Sequence, residues 1–263
     1  MASTVLMRDA LWRISTLLTD VAPQFHRNPE HDLVDCVNDA QVAITTFIPS
    51  ACSRVDSIRL RPGTLQSIES IAPTYCKPGD GSTPAVAILG TQVLRPVCNM
   101  GADGLTPGRI VRVVDSRTQD VQNPFWHVRT GLVVREFSSD PSTPHYFSVS
   151  PGVDGSTPVW LRLAYTAQPL KIPNTGTSEA PLYAFAGSST QTITIADEYL
   201  DAIVNYAVAK RCLTPNEWSD ASKGAAFAAL FTDFLNAKVT ALTGHNPNLK
   251  RLPFAPQTIG TGS

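Results

Sequence analysis

Three potential metal ligands near the N-terminus, His26, His31 and Cys36, are spaced five residues apart. Imidazole and thiolate groups bind zinc and similar metals, but ligands on one helix must be three or four residues apart to face the same ion. Pro29 also separates His26 from the helix predicted to carry the other two side chains. The spacing favours surface histidines and a core cysteine, and we expect no metal and no cofactor.

Covalent chemistry has no stronger signal in the sequence. The chain lacks a Gly-x-Ser-x-Gly nucleophile elbow. A Gly-Asp-Gly-Ser stretch at 79–82 lacks the lysine and the following helix of a phosphate-binding loop. His127 and His145 lie in the strand-rich middle of the chain without a partner pattern. A hydrolase whose site is assembled only in the folded chain, with these histidines, stays open as an alternative, but the sequence predicts a protein that is not an enzyme.

An aromatic cluster at 123–128 is the other segment with chemical potential. Phe125 and Trp126 stand together in a chain with only 8% aromatic residues. Aromatic faces stack on sugars and bases, so a carbohydrate- or ligand-binding β-sandwich module using these two residues and Trp160 is a second alternative. The sequence favours a hydrophobic plug between a sheet and its helices.

Composition bounds the class of partner. The net charge is −1 and only 16% of residues are charged, so the chain has no general electrostatic signature of nucleic-acid or anionic-membrane binding. A weakly charged chain with 21 prolines is typical of a protein that covers surface in contacts with other subunits. The composition favours a part of an assembly.

The five cysteines are odd in number and widely spaced, with no Cys-x-x-Cys pair. This pattern predicts free thiols in a reducing compartment. The first fifteen residues lack a basic region followed by an apolar run, so no secretory signal is expected. No run of about eighteen apolar residues exists, and we expect no membrane span.

Hydrophobic periodicity divides the chain into helical ends and a strand-rich middle. Apolar residues follow helical spacing from Leu6 to Val21 and again up to Pro49, and both sides of Thr214 show the same pattern. We expect Thr214 to cap the last helix at its start and Gly244 at its end. Between these ends, short apolar runs alternate with Pro and Gly turns, which predicts a sandwich or open barrel.

The predicted fold class is therefore α+β. Amphipathic N- and C-terminal helices form a helical bundle, with an inserted antiparallel β-sandwich or barrel-like domain and an extended C-terminal tail. The predicted boundaries are 1–52 for the first helices, 53–195 for the β-rich domain, 196–244 for the last helices and 245–263 for the tail.

The tail has a composition unlike a simple frayed end. Leu249, Leu252 and Phe254 recur at short intervals between prolines. Prolines favour an extended backbone, which loses less entropy when it docks. A segment that docks into a groove of a partner and an ordinary frayed terminus both remain open on composition.

Four segments, in order and spacing, resemble the head-to-tail adaptor (connector) proteins of tailed bacteriophages. Together they cover roughly residues 5–244. They are Cys36-Val37-Asn38-Asp39-Ala40-Gln41 with Ala43-Ile44; Asn123-Pro124-Phe125-Trp126; Pro144-His145-Tyr146-Phe147-Ser148-Val149-Ser150-Pro151 with Leu161-Arg162-Leu163-Ala164-Tyr165 and Pro169; and Ile195-Ala196-Asp197-Glu198-Tyr199-Leu200-Asp201-Ala202-Ile203-Val204-Asn205-Tyr206-Ala207.

The resemblance implies a location at the head–tail junction of a virion, after assembly in the host bacterial cytoplasm. It implies a ring of about twelve copies with a portal above, a tail or nozzle protein below, and a channel through which DNA passes without sequence-specific binding. The β domain would meet tail components. The loop at 82–103 is longer than in similar adaptors, and its role and that of the loop at 169–189 stay open.

The resemblance also assigns the tail. In similar adaptors the C-terminal segment runs up into the portal, and residues 245–263 take that part here. The expected portal-binding residues are Leu249, Lys250, Arg251, Leu252 and Phe254.

Overall fold

The chain is α+β and divides into two compact units, residues 1–48 with 171–263, and residues 49–170. The computed structural model describes residues 4–20, 27–79, 82–174, 191–215, 217 and 219–245. Within them are five α-helices and two sheets rich in antiparallel pairing, so the predicted α+β class is confirmed at that level. We refer to the two parts as the helical unit and the β unit.

Four helices build the helical unit, and α4 is central among them because it packs against the other three. Their bounds are α1 Met7–Leu17, α2 Glu30–Phe47, α4 Leu200–Leu213 and α5 Ala221–His245. Side chains at helical spacing, such as Ile14, Leu33 and Ile203, have no exposed surface. Burial of each such side chain contributes about 1.5–3 kcal/mol to folding.

Several predicted helix ends are wrong. The apolar stripe of α1 predicts a helix that extends to Val21, but α1 ends at Leu17 because Thr19 has a φ of 57°, which a right-handed helix cannot accommodate. Asp220, and not Thr214, caps α5: its carboxylate accepts a 2.9 Å hydrogen bond from the Lys223 amide. Gly244 lies inside α5.

The β unit contains two sheets and a short helix. The five-stranded sheet has the order β3-β1-β9-β4-β5, and the four-stranded sheet has the order β2-β8-β7-β6. The bounds are β1 Ser53–Arg59, β2 Gly63–Ser67, β3 Cys76–Lys77, β4 Gly90–Met100, β5 Pro107–Ile110, β6 Arg112–Val113, α3 Ser116–Gln122, β7 Glu136–Ser139, β8 Tyr146–Val153 and β9 Trp160–Ala167.

One core cluster draws side chains from both sheets. Leu161, Leu163 and Tyr165 alternate along β9 and are fully buried, as the two-residue period of a strand requires. From the other sheet, Phe137 stacks on Phe147 with ring centroids 5.1 Å apart. The aromatic and branched residues that predicted strands here are therefore those that fill the core.

Two parts of the strand prediction need correction. The segment 82–103, expected to be a long loop, contains β4, which pairs with both β9 and β5. Its register shifts around Pro96, where a proline is tolerated in a strand, and this irregularity hides the strand in the sequence. The β-branched run 109–114 predicts a single strand, but the structure divides it: β5 belongs to one sheet and β6 to the other, with buried Val111 between them.

The β unit contains a buried carboxylate that is hydrogen-bonded by two neighbouring side chains. The Asp56 carboxylate accepts hydrogen bonds from the Tyr165 hydroxyl at 2.8 Å and from Arg54 Nε at 2.9 Å. Burial and the neighbouring Asp56 charge raise the pKa of Tyr165 far above its ordinary value, so the phenol stays protonated and donates. This arrangement satisfies a carboxylate that is almost fully buried.

Candidate interaction surfaces

Two buried side chains of α2 bind the stretches of chain around Ile172 and Thr194, which lie between β9 and α4 in the sequence. The Asn38 amide donates to the Ile172 carbonyl at 3.0 Å and accepts from the Ile172 amide at 2.9 Å. Gln41 Oε1 accepts from the Thr194 amide at 2.8 Å. These bonds replace missing strand pairing, so residues 172 and 194 pack with the helices although the sequence predicted them as part of the β-rich segment.

Hydrogen bonds also join the N-terminal part of the helical unit to its C-terminal part. Asp197 Oδ1 accepts a 2.9 Å hydrogen bond from the Thr4 amide. Lys223 Nζ, at the start of α5, donates to the Leu17 carbonyl at the end of α1 at 2.6 Å. The N-terminal helices and the last helices therefore fold as one body.

Helix α5 is the most unusual element of the helical unit. Of its 25 residues only Lys223, Asp233 and Lys238 are charged. It is anchored on α4 by Phe231, whose ring lies 5.1 Å from that of Tyr206. Other large apolar side chains project away, with Leu230 52% and Leu242 41% exposed.

By length and composition alone, Ala221–Thr243 is long and apolar enough to cross a membrane. Only 11% of its most apolar window is buried in the protein. The sequence prediction of no such span overlooked this helix because charged residues interrupt it. Its contacts with α4 identify it as a packed helix of the helical unit. The exposed apolar side chains of this helix are the property that needs an explanation.

A shallow groove lies between α1 and α4. Trp12, Leu17 and Val204 line it, and Trp12 is 44% exposed. At the rim, Arg13 Nη1 and the Asp201 carboxylate form an ion pair at 3.3 Å. The groove offers apolar area with little charge.

The β unit carries a long excursion of the chain, residues 109–134, whose two ends are bridged by one side-chain amide in addition to strand pairing. Asn99, on β4, is 5% exposed. Its Nδ2 donates to the Arg109 carbonyl at 3.0 Å and to the Val134 carbonyl at 2.7 Å, and its Oδ1 accepts from the Val134 amide at 2.8 Å. The Asn99 side chain thus links the backbone at the two ends of this segment, which we call the 109–134 excursion.

Further hydrogen bonds, one within the excursion and two to strands β7 and β8, hold it in place. Gln119 Nε2, on α3, donates to Glu136 Oε2 at 3.2 Å. Trp126 Nε1 donates to Asp120 Oδ1 at 2.8 Å. The Gly131 amide donates to the Gly152 carbonyl at 2.8 Å. Polar groups therefore define the backbone of this segment.

The aromatic cluster belongs to this excursion, and its prediction as a hydrophobic plug is wrong. Phe125 is 72% exposed, and the Trp126 ring makes an edge contact with His127 at 6.1 Å. Trp160 is buried at 5% exposure, under Gly104 and with Lys77 Nζ 5.0 Å from its ring centroid. Its ring is therefore closed to a sugar face, which leaves the carbohydrate-binding alternative without one of its three residues.

The candidate chemical residues are not brought into a reactive arrangement in the described part of the chain. His145 Nδ1 lies 3.1 Å from the Gly90 carbonyl oxygen. His31 Nε2 pairs with Asp32 Oδ1 at 3.4 Å, and His26 lies outside the described residues. Among the residues that the structure describes, no group of three or more His, Cys, Asp or Glu side chains is placed to hold a metal ion.

We expect Cys36 and Cys76 to resist thiol reagents in the folded protein. Burial raises the pKa of the Cys36 thiol to about 11. Burial, followed by the Asp56 charge, raises the pKa of Cys76 to about 12. Because the thiolate is the nucleophile and the metal ligand, both groups should label slowly at about pH 8 and fast after unfolding. Stopped-flow labelling with a disulfide reagent, using Cys36→Ala and Cys76→Ala to assign the phases, measures this.

The same pKa shifts give an alkaline dependence of stability. Thiols of the unfolded chain lose their protons near the ordinary cysteine pKa of 9.0, whereas the folded thiols keep them to about 11 and about 12. In this window the unfolded state binds fewer protons, so the free energy of unfolding falls as pH rises above 9. Denaturant titrations at increasing pH should show a smaller fall in Cys76→Ala; rapid labelling of the native thiols would contradict the premise.

The predicted portal-binding residues Leu249, Lys250, Arg251, Leu252 and Phe254 lie outside the described residues. The described chain ends at His245, the last residue of α5. Their role therefore stays a prediction.

Comparison with known proteins gives one family. The family model described as SU10 adaptor protein matches residues 9–251, which span both units. No curated protein matches the chain significantly.

Proposed function

The chain belongs to the SU10 adaptor protein family, and from this premise we propose that it forms a ring that joins the portal of a tailed phage to the tail. Family membership makes it a structural component of a phage virion that contacts other virion components. The ring, the portal contact and a central channel for DNA are the further content of the proposal.

The exposed apolar side chains of α5 are the observation that supports ring formation. Leu230, Val239 and Leu242 are each at least 36% exposed on a helix with very few charges. A helix that is apolar on most sides is stable in water when another element covers it. In a ring every copy offers two different patches to its neighbours, so the next copy supplies that cover.

The end of α5 supports the portal contact. Residues 246–263 follow the helix directly, and the apolar residues Leu249, Leu252 and Phe254 with Lys250 and Arg251 offer a short segment for a groove. Linked binding segments from every copy of a ring raise the avidity for a ring-shaped partner.

The low charge supports passage of DNA. With a net charge of −1, the chain as a whole does not attract phosphates, and a conduit for DNA must not retain it. The proposal therefore includes no sequence-specific DNA binding.

We expect a mixture of this protein with the portal ring of the same phage to gain the mass of about twelve subunits. Native mass spectrometry or mass photometry of the purified complex measures the gain. A portal ring without added mass, next to a monomeric adaptor, would contradict the proposal.

A variant pair separates ring closure from portal docking. Leu230→Asp with Leu242→Asp places charges at two exposed apolar positions of α5, and we expect substoichiometric loading because neighbours no longer pack. Val86→Asp, at a 52% exposed position of the β unit, is the matched control and should load fully. Equal loading by both variants would remove α5 from the ring interface.

A further inference from the structure

We propose that the 109–134 excursion is a docking surface for a tail protein whose contact patch combines apolar and acidic side chains. The inference rests on the proposed adaptor function and names the surface and the chemistry of the partner on the tail side.

Exposure is the first observation. The four most exposed large hydrophobic side chains among the described residues all lie in this excursion: Val121 at 82%, Ile110 at 77%, Phe125 at 72% and Val128 at 67%. Val113, Leu132 and Val133 add to them, with exposures of 63%, 55% and 46%. Concentrated apolar exposure of this kind marks an interaction site on a folded protein.

These side chains do not hold the excursion together. Its backbone is held by the pairing of β5 and β6 with β4 and β7, and by the side chains of Asn99, Gln119 and Trp126. Val111 and Val134 face the core and are buried. The outward residues are therefore free of a structural role within the described chain, and their apolar character suits a partner.

Charge adds a second requirement for the partner. The excursion contains four exposed arginines, Arg109, Arg112, Arg117 and Arg129, and none forms an ion pair with another described residue. Its two carboxylates are engaged locally: Asp115 caps α3 and Asp120 accepts from Trp126. A complementary surface therefore combines carboxylates with apolar side chains.

The aliphatic content distinguishes a protein partner from a nucleic acid. Phosphates and bases are bound by cationic, amide and aromatic side chains, whereas Val121, Ile110 and Val128 present only methyl groups. Aromatic residues and arginine together are the residue types enriched in protein interfaces. The mixture therefore fits a protein surface.

The position in the chain selects the tail side. The proposed portal contact follows α5 and belongs to the helical unit, whereas the excursion belongs to the β unit. A protein that joins two partners needs a separate surface for each, and the excursion offers exposed apolar side chains in the unit that does not carry the portal contact.

The test uses portal rings loaded with full-length adaptor, to which the purified tail protein of the same phage is added. Loading is scored first and reports on the adaptor function alone. Bound tail protein is then quantified by sedimentation at rising salt for three variants: Val121→Glu with Val128→Glu, Arg112→Gln with Arg129→Gln, and the control Leu65→Glu with Val86→Glu. The control positions are exposed and lie in the β unit outside the excursion.

We expect the first variant to weaken tail-protein binding by at least about tenfold. The arginine variant should weaken it and flatten its salt dependence, and the control should bind as the wild type. Full binding by the first two variants overturns the proposal while loading stays intact. A photo-cross-linker at Phe125 that joins DNA or a second adaptor copy, and not the tail protein, overturns it as well. The arginine-to-glutamine changes are at exposed sites, so a folding defect does not obscure the result.

Discussion

Removal of residues 246–263 is expected to abolish binding to the portal ring, by at least about a hundredfold in affinity, because it deletes three apolar anchors and two cations at once. The deletion begins after His245, so every described helix and strand stays intact. Thermal unfolding should therefore be unchanged within a few degrees. Mass photometry of the truncated protein mixed with portal rings measures the loss.

Point variants divide the tail by chemistry. Leu252→Asp with Phe254→Asp should reproduce most of the loss, because a charge cannot enter an apolar groove without its hydration shell. Lys250→Gln with Arg251→Gln should weaken binding mainly at low salt, where charge pairs are least screened. Thr258→Asp, farther along the same tail, is the control. A truncated protein that still loads portal rings would remove the tail from the interface.

The four helices of the helical unit could be predicted from the sequence because each carries apolar residues at helical spacing that pack on a helical neighbour, whereas the short α3 was not predicted. Leu33, Val37 and Ile44 follow that spacing along α2 and are all fully buried. The helix ends were less accessible, since the positive φ of Thr19 and the cap at Asp220 depend on contacts that periodicity does not contain.

The β unit was predicted less well, for a different reason. Strands such as β9 show their core face in the sequence, and they were found. Strand β4 has register shifts, and the chain crosses between the two sheets at Val111, so neither keeps the two-residue period. Local pattern fails where pairing with distant strands decides the structure.

The sequence identified some residues of the candidate surfaces but not whether they are exposed. The sequence singled out Phe125 and Trp126 as an aromatic cluster, but the choice between a buried plug and an exposed surface depends on neighbours that are distant in the chain. Asn99 and Val134, for example, meet across a separation of 35 residues. An asparagine in a strand carries no pattern that marks it as a clamp, so this residue was missed altogether.

Loss of the Asn99 side chain, which joins the two ends of the 109–134 excursion, gives the second large expected effect. Asn99→Ala should lower the free energy of unfolding of the β unit by about 3 kcal/mol, because it removes three hydrogen bonds and leaves the Val134 amide and two carbonyls without partners near the core. A shift of about 10 °C in the unfolding midpoint corresponds to this loss for a unit of this size. Differential scanning calorimetry measures it, with exposed Asn236→Ala on α5 as the control.

Limited proteolysis locates the effect in the chain. With the clamp lost, the 109–134 excursion should open before the rest of the β unit, and trypsin should cut at Arg112, Arg117 and Arg129 well below the unfolding midpoint. The same variant should lose tail-protein binding while it still loads portal rings, because the excursion and the C-terminal segment belong to different units. Unchanged cleavage in Asn99→Ala would mean that pairing with β7 and the Gly131–Gly152 bond hold the excursion without the amide.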